Sequence, residues 1–293
     1  MHKFLRAVGF SEYRKKKDIR ELLTRVQNNP DEVQVVQMPD GETRQQLYAS
    51  AGSGFGISVC GELDERDEFE REYYFPFLRS TCISTQAPCQ VQRHAEKESY
   101  AGICEEYRIG VSLIFYLQNG MEYMKRFHDP SRSVRISSVM LSALSVSGKI
   151  LLPVQKTQQQ KERLKVATVN RTNLLEAARR GDSDAMESLA MEDMDLYTSV
   201  SDRIREEDIY SIVDSCFMPY GVECDQYSAL GEILEVEKVR NQWTNEEIYV
   251  LIVECSDLML QVAINRQDLL GEPQVGRRFK GPVWVQGQVN FQD

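Results

Sequence analysis

Between Lys15 and Gln27 the apolar residues Ile19, Leu22, Leu23 and Val26 recur at i, i+3, i+4 and i+7. That spacing predicts an amphipathic helix, with Asp18 and Glu21 as a capping pair and Asn28-Asn29-Pro30 as its stop. The period then shortens to two. Val33 and Val35 alternate with polar residues, Pro39-Asp40-Gly41 supplies a turn, a second extended run passes through Leu47 and Tyr48, and Phe55, Ile57 and Val59 share a face. Val111, Leu113, Phe115 and Leu117 alternate up to Asn119-Gly120, a dipeptide suited to a type I′ hairpin, so a return strand is expected from Met121 and Tyr123. A β-rich pair is expected from Ser133 to Val146 and from Lys149 to Val154 across Ser147-Gly148, with a buried helix as the alternative.

From Gln155 to Arg163 the chain is polar, and helical periodicity follows. Asn173 and Glu176 mark a helix start, Gly181 its end and Asp182 the start of the next, which carries Met186 and Leu189. Leu196, Tyr197, Val200 and Ile204 are helix-spaced, as are Ile209, Ile212, Val213 and Phe217, before Pro219 and Gly221 break the pattern. Leu174 to Asp182 is similar to the helix pair of an ankyrin-type repeat but occurs once, which predicts an isolated helical hairpin.

Strand patterns return through Leu230, Leu234 and Val236, the run Ile248 to Val253, the alternating Leu258, Leu260, Val262 and Ile264, and finally Val283, Val285, Val289 and Phe291. The expected fold class is therefore α+β. An antiparallel α+β domain spans 1–155, a helical connector 156–220, and a small β-barrel of the oligonucleotide/oligosaccharide-binding kind, or an open antiparallel sheet, 221–293.

Composition narrows the setting. The chain has 293 residues, 42% hydrophobic and 27% charged, a folded profile. Met1 to Phe10 is too broken by charge for the apolar region of a secretion signal, and no stretch reaches the roughly 18 to 20 apolar residues of a spanning helix. The expected location is the cytoplasm, and the seven cysteines are expected as reduced, mostly buried thiols. A net charge of -10 disfavours nucleic acid and anionic membranes as partners. The charge is uneven: 1–30 carries net +5 around Arg14-Lys15-Lys16-Lys17, and 182–208 carries net -8. Such complementary faces point to a protein partner or self-association, with two solvated helix faces as the simpler reading.

Candidate chemistry is sparse. Gly52-Ser53-Gly54-Phe55-Gly56 precedes a strand, not the helix a phosphate loop opens, and reads as a tight turn. His2, His94 and His128 lack the spacing of metal ligands, so no metal, cofactor or catalytic constellation is expected. The acidic run Glu62 to Glu68 reads as a solvated face, and Tyr73-Tyr74-Phe75-Pro76-Phe77 as core or an exposed docking patch. Arg277, Arg278, Phe279 and Lys280 ahead of Trp284 form the binding candidate, since small barrels bind strands through cationic and aromatic side chains. For a dispersed, hydrolase-like active site, Glu223, Cys224 and Asp225 beside the Pro-Tyr-Gly turn come first.

The opening Met1 to Phe10, the stretch Phe217 to Tyr227 and the ending Phe279 to Gly287 resemble an uncharacterised family of cytoplasmic proteins from Clostridia, across the whole chain. That resemblance implies a bacterial cytoplasmic origin and carries no mechanism. The function expected from sequence is a non-enzymatic interaction or regulatory module.

Overall fold

The computed structural model describes residues 2–94, 99–109, 111–154, 158–205 and 208–292. A 3-10 helix, Lys3–Val8, precedes α1 (Lys16–Asn28), whose Ile19, Leu22, Leu23 and Val26 are buried as their spacing predicts. α1 lies on an antiparallel meander of β1 (Glu32–Gln37), β2 (Thr43–Gly52), β3 (Phe55–Leu63) and β4 (Phe69–Leu78). The β2–β3 turn at Ser53-Gly54 confirms the glycine run as a hairpin, with Gly54 at φ +76. In β1 the alternating Val33 and Val35 face solvent, and Val36 is the buried residue.

A second sheet contains β5 (Cys89–Arg93), β6 (Tyr100–Glu106), β7 (Val111–Leu117), β8 (Ile136–Ser145), β9 (Gly148–Leu151), β10 (Cys216–Pro219), β11 (Gln226–Arg240), β12 (Glu247–Cys255), β13 (Leu258–Asn265), β14 (Leu269–Leu270) and β15 (Arg278–Phe291). It is mixed, not purely antiparallel: β13 and β8, β15 and β7, and β14 and β9 pair parallel. The reason is topological. Strands from before and after the helices interleave, so neighbours arrive by long crossovers that permit parallel pairing. Glu232 pairs with both Glu254 and Arg278, which places β12 and β15 on opposite edges of β11. The pairings then run from β12 to β13, β8 and β15 and return to β11.

These strands are walls between two apolar cores, because side chains alternate faces. Leu251 and Val253 of β12, Leu260 and Val262 of β13, and Val283 and Val285 of β15 join one core. Ile248, Val250, Ala263 and Trp284 join the other, with α1, the meander and the 3-10 helix. Burial on both faces explains why 248–253 reads as a continuous apolar run.

Three expected elements differ. Asn119-Gly120 opens a helix, α2 (Gly120–Phe127), instead of a hairpin. Asn119 Nδ2 donates to the Val289 carbonyl at 2.9 Å and its Oδ1 accepts the Val289 N–H at 3.1 Å, so the residue caps a strand edge, while Met121 and Met124 bury at helical spacing. β8 and β9 do not form a hairpin with each other, since both line the same side of β15. Between β9 and β10 the expected helical hairpin forms and turns at Gly181, φ +90, with Asp182 Oδ1 accepting the Asp184 N–H at 3.0 Å, but α3 (Gln158–Arg179) runs through Asn173 and Glu176 instead of starting there, before α4 (Ser183–Ile204). A short α5 (Ile209–Ile212) follows, and Phe217 belongs to β10. The side chains of Leu196, Val200 and Ile204 and the boundary residues 155–157 lie outside the described residues. No helix among the described residues is long and apolar enough to cross a membrane.

The two sheets meet at a seam of buried amides. Gln118 Nε2 donates to Gln286 Oε1 at 2.7 Å and to the Leu78 carbonyl at 2.8 Å, and Gln286 Nε2 donates to the Pro76 carbonyl at 2.7 Å. Gln46 reaches Ser58 Oγ at 2.9 Å, and Tyr48 donates its hydroxyl to the Gln118 carbonyl at 3.1 Å. Gln286 and Ser58 are fully buried, so each lost partner leaves an unsatisfied group costing about 1–3 kcal/mol. Gln286→Leu is expected to lower unfolding free energy by about 3 kcal/mol in urea titration, against a change within about 0.5 kcal/mol for the exposed Gln292→Leu; equal effects would contradict the seam's role.

Candidate functional site

The loop from β10 to β11 turns at Gly221, φ +76, and returns with Tyr220 N–H on the Gln226 carbonyl at 2.8 Å. Its far end is fixed on β15, because Val285 N–H donates to the Asp225 carbonyl at 2.9 Å and the Trp284 indole Nε1 donates to Asp225 Oδ2 at 2.7 Å. Trp284 is itself wedged in place. Phe4 stacks on it with centroids 5.3 Å apart, His2 lies at 4.7 Å and Tyr116 at 5.4 Å.

Phe4 reaches this position because the β11–β12 turn and the end of β13 grip the N-terminal segment. Asn241 Nδ2 donates to the Val8 carbonyl at 2.7 Å, Thr244 Oγ1 to the Gly9 carbonyl at 2.6 Å, and Asn265 Nδ2 to the Arg6 carbonyl at 3.2 Å. Arg6 adds an ion pair to Asp268. Gly9 sits at φ +85, and a Cβ there would stand 2.7 Å from the Cβ of Asn241, so only glycine allows the approach.

Together these segments enclose a cleft of about 700 Å³. His2, Lys3 and Phe4 come from the N-terminal segment, Tyr73, Tyr74 and Phe75 from β4, His94 and Ser99 from the ends of β5 and β6, Tyr116 from β7, Glu223, Asp225 and Gln226 from the β10–β11 loop, and Trp284 from β15. Two of the three histidines in the chain line it. The His2 N–H donates to the Tyr74 hydroxyl at 3.2 Å, and Lys3 Nζ donates to Gln226 Oε1 at 2.8 Å. Behind them Tyr73 is hydrogen-bonded to both Tyr116 and Cys60, and burial holds both phenols well above their ordinary value, so that wall stays neutral.

The charge-bearing group is Asp225. Burial raises its carboxyl above 3.8, outweighing the Trp284 hydrogen bond and His94, which lower it, while Glu223 adds to the rise. Among the described residues Asp225 makes no ion pair. A desolvated carboxylate in that state destabilises the folded chain. Cys224, next to it, is exposed, and its thiol is pushed up by partial burial and by Asp225 and Glu223. That is the reverse of what activates a cysteine nucleophile. Among the described residues no cluster of three His, Cys, Asp or Glu groups could hold a metal ion.

The residues singled out on β15 fall into two places. Trp284 is buried and edges the cleft, beside the loop residues Glu223 and Asp225. Arg278 and Phe279 are buried elsewhere. Arg278 donates to the carbonyls of Leu152 at 2.9 Å, Val213 at 2.8 Å and Tyr210 at 2.6 Å, and Lys280 donates to the Tyr210 hydroxyl. Those two cations fasten α5 to the sheet. Arg277 caps the Glu272 carbonyl at 3.0 Å. His2, Phe4, Tyr116 and His94 were not singled out from sequence as a site, because three distant segments deliver them; the sparseness of histidine was the available signal.

A carboxyl whose folded value lies above its unfolded one contributes stability that is complete below the unfolded value and is lost as pH rises through the folded value. Asp225→Asn keeps an acceptor for the Trp284 N–H and removes that loss. The variant is expected to be more stable than the wild type at pH 7, with the two converging below pH 3.8, the ordinary value, in thermal unfolding across pH. A variant less stable at pH 7 would show that the carboxylate is compensated.

No curated protein and no solved structure matches this chain. The sequence model of a domain of unknown function, DUF3881, described from an E. rectale gene, matches residues 5–287, so the chain belongs to that family.

Proposed function

We propose that this chain is a recognition module whose cleft takes a small cationic ligand bearing an alkylammonium or guanidinium group. The observation that carries the reading is the half-buried Asp225 carboxylate, which makes no ion pair among the described residues, beside Trp284 and Tyr74 with Glu223 at the rim. Aromatic faces attract cations through their quadrupoles, and a desolvated carboxylate completes the charge pairing. The volume suits a small molecule, since ligand sites span about 300–1,000 Å³. The pairings that run from β11 through β12, β13, β8 and β15 and return to β11 favour a small-barrel reading of this framework, with α3 and α4 read as its connector.

Acid–base catalysis is a second reading, favoured by His2 and His94 sharing the cleft with Asp225. The two part on the fate of the ligand: recognition returns it unchanged, whereas catalysis returns an altered molecule by mass spectrometry.

Titration with arginine amide and with choline, followed by Trp284 fluorescence in a Trp243→Phe background, is expected to saturate. Affinity rises with pH across the range where Asp225 ionises, because the cation binds the charged form, and it falls at least tenfold in Asp225→Asn. An uncharged isostere binding equally well, or no response from either cation, would overturn the reading.

A further inference from the structure

Cys89 and Cys104 stand directly opposite each other in the antiparallel β5–β6 pair, and their thiols share a hydrogen bond. Opposed residues in such a pair have Cα atoms about 4.5–5.5 Å apart, inside the roughly 4.4–6.8 Å that a disulfide spans. Bridging therefore needs only rotation of the two side chains. Cys104 is fully buried, whereas Cys89 is half-exposed and can be reached from solvent. β5 ends the strand order of its sheet, so it is hydrogen-bonded along one side only and yields more easily than an inner strand. No other cysteine in the described strands faces a cysteine across a ladder. Cys60 pairs with Gln46 and Tyr73, Cys216 with Leu230, and Cys255 with Leu258.

We propose that Cys89 and Cys104 form a thiol–disulfide exchange site that reacts with low-molecular-weight disulfides. The Cys89 thiolate attacks one sulfur of such a disulfide, the small S–S bond breaks, and the departing thiolate takes up a proton. Cys104 then loses its proton and attacks Cys89 Sγ, releasing the second small thiol. Two protein thiols are oxidised to one disulfide while one small disulfide is reduced to two thiols. The bond would staple the open end of a hairpin whose other end carries His94 and Ser99, joined by the His94 N–H to the Ser99 carbonyl at 2.8 Å. Cross-strand bridges at exposed edges are the reducible, regulatory kind and not the permanent kind.

The test equilibrates the full chain with oxidised and reduced glutathione, traps free thiols by alkylation and maps peptides by mass spectrometry. A Cys89–Cys104 linkage is expected to form first, to be absent in Cys89→Ser, and to form in Cys224→Ser as in the wild type. Amide exchange across β5 slows in the oxidised wild type. The proposal is overturned if both residues alkylate freely while the exposed Cys224 carries glutathione, if Cys216 and Cys255 link instead, or if exchange across β5 is unchanged. None of these outcomes depends on what occupies the cleft.

Discussion

The buried contact between Gln118 and Gln286 is the constraint on which the arrangement of the two sheets depends. Each amide has donors and acceptors that must be met away from water, and the partners are the backbone carbonyls of Pro76 and Leu78 at the end of β4. An apolar seam of similar shape would tolerate sliding, since dispersion contacts are not directional. Amides do not, because a shift of one residue strands several buried polar groups at once. β4 is thereby held in register against β15 and the end of β7, and Phe75, Tyr116 and Trp284 arrive at a common place.

The N-terminal segment is the second dependent part. Its carbonyls of Arg6, Val8 and Gly9 are met by Asn265 at the end of β13 and by Asn241 and Thr244 of the β11–β12 turn, 233 to 259 positions along the chain. The cleft therefore exists only when both ends of the chain are folded together. Its rings are held by contacts within the fold, with Phe4, His2 and Tyr116 packed around Trp284.

Elements whose signal is local were readable from sequence. The α1 stripe, the turn at Ser53-Gly54 and the alternation in β13 all appear where their spacing puts them. Elements decided by tertiary partners were not. Asn119-Gly120 carries a hairpin signature, yet Val289 claims the asparagine side chain and Met121 and Met124 find a core, so a helix forms. Arg278 has the composition of a ligand-binding cation and serves three backbone carbonyls. Glu223 to Asp225 and Trp284 were visible as separate points of interest. Their conjunction depends on the pairing of Gln226 with Trp284, which no local pattern encodes.

Asp225 links these structural facts to function. Burial raises its carboxyl above the ordinary value, and carboxyls perturbed in this way cluster at sites where their charge is used. The most direct measurement is the titration of the Asp225 carboxyl carbon by NMR, in the free protein and with arginine amide bound. The account predicts a midpoint above 3.8 in the free protein that falls when the cation binds. A midpoint at or below 3.8 in the free protein, or one that the cation leaves unmoved, would contradict it.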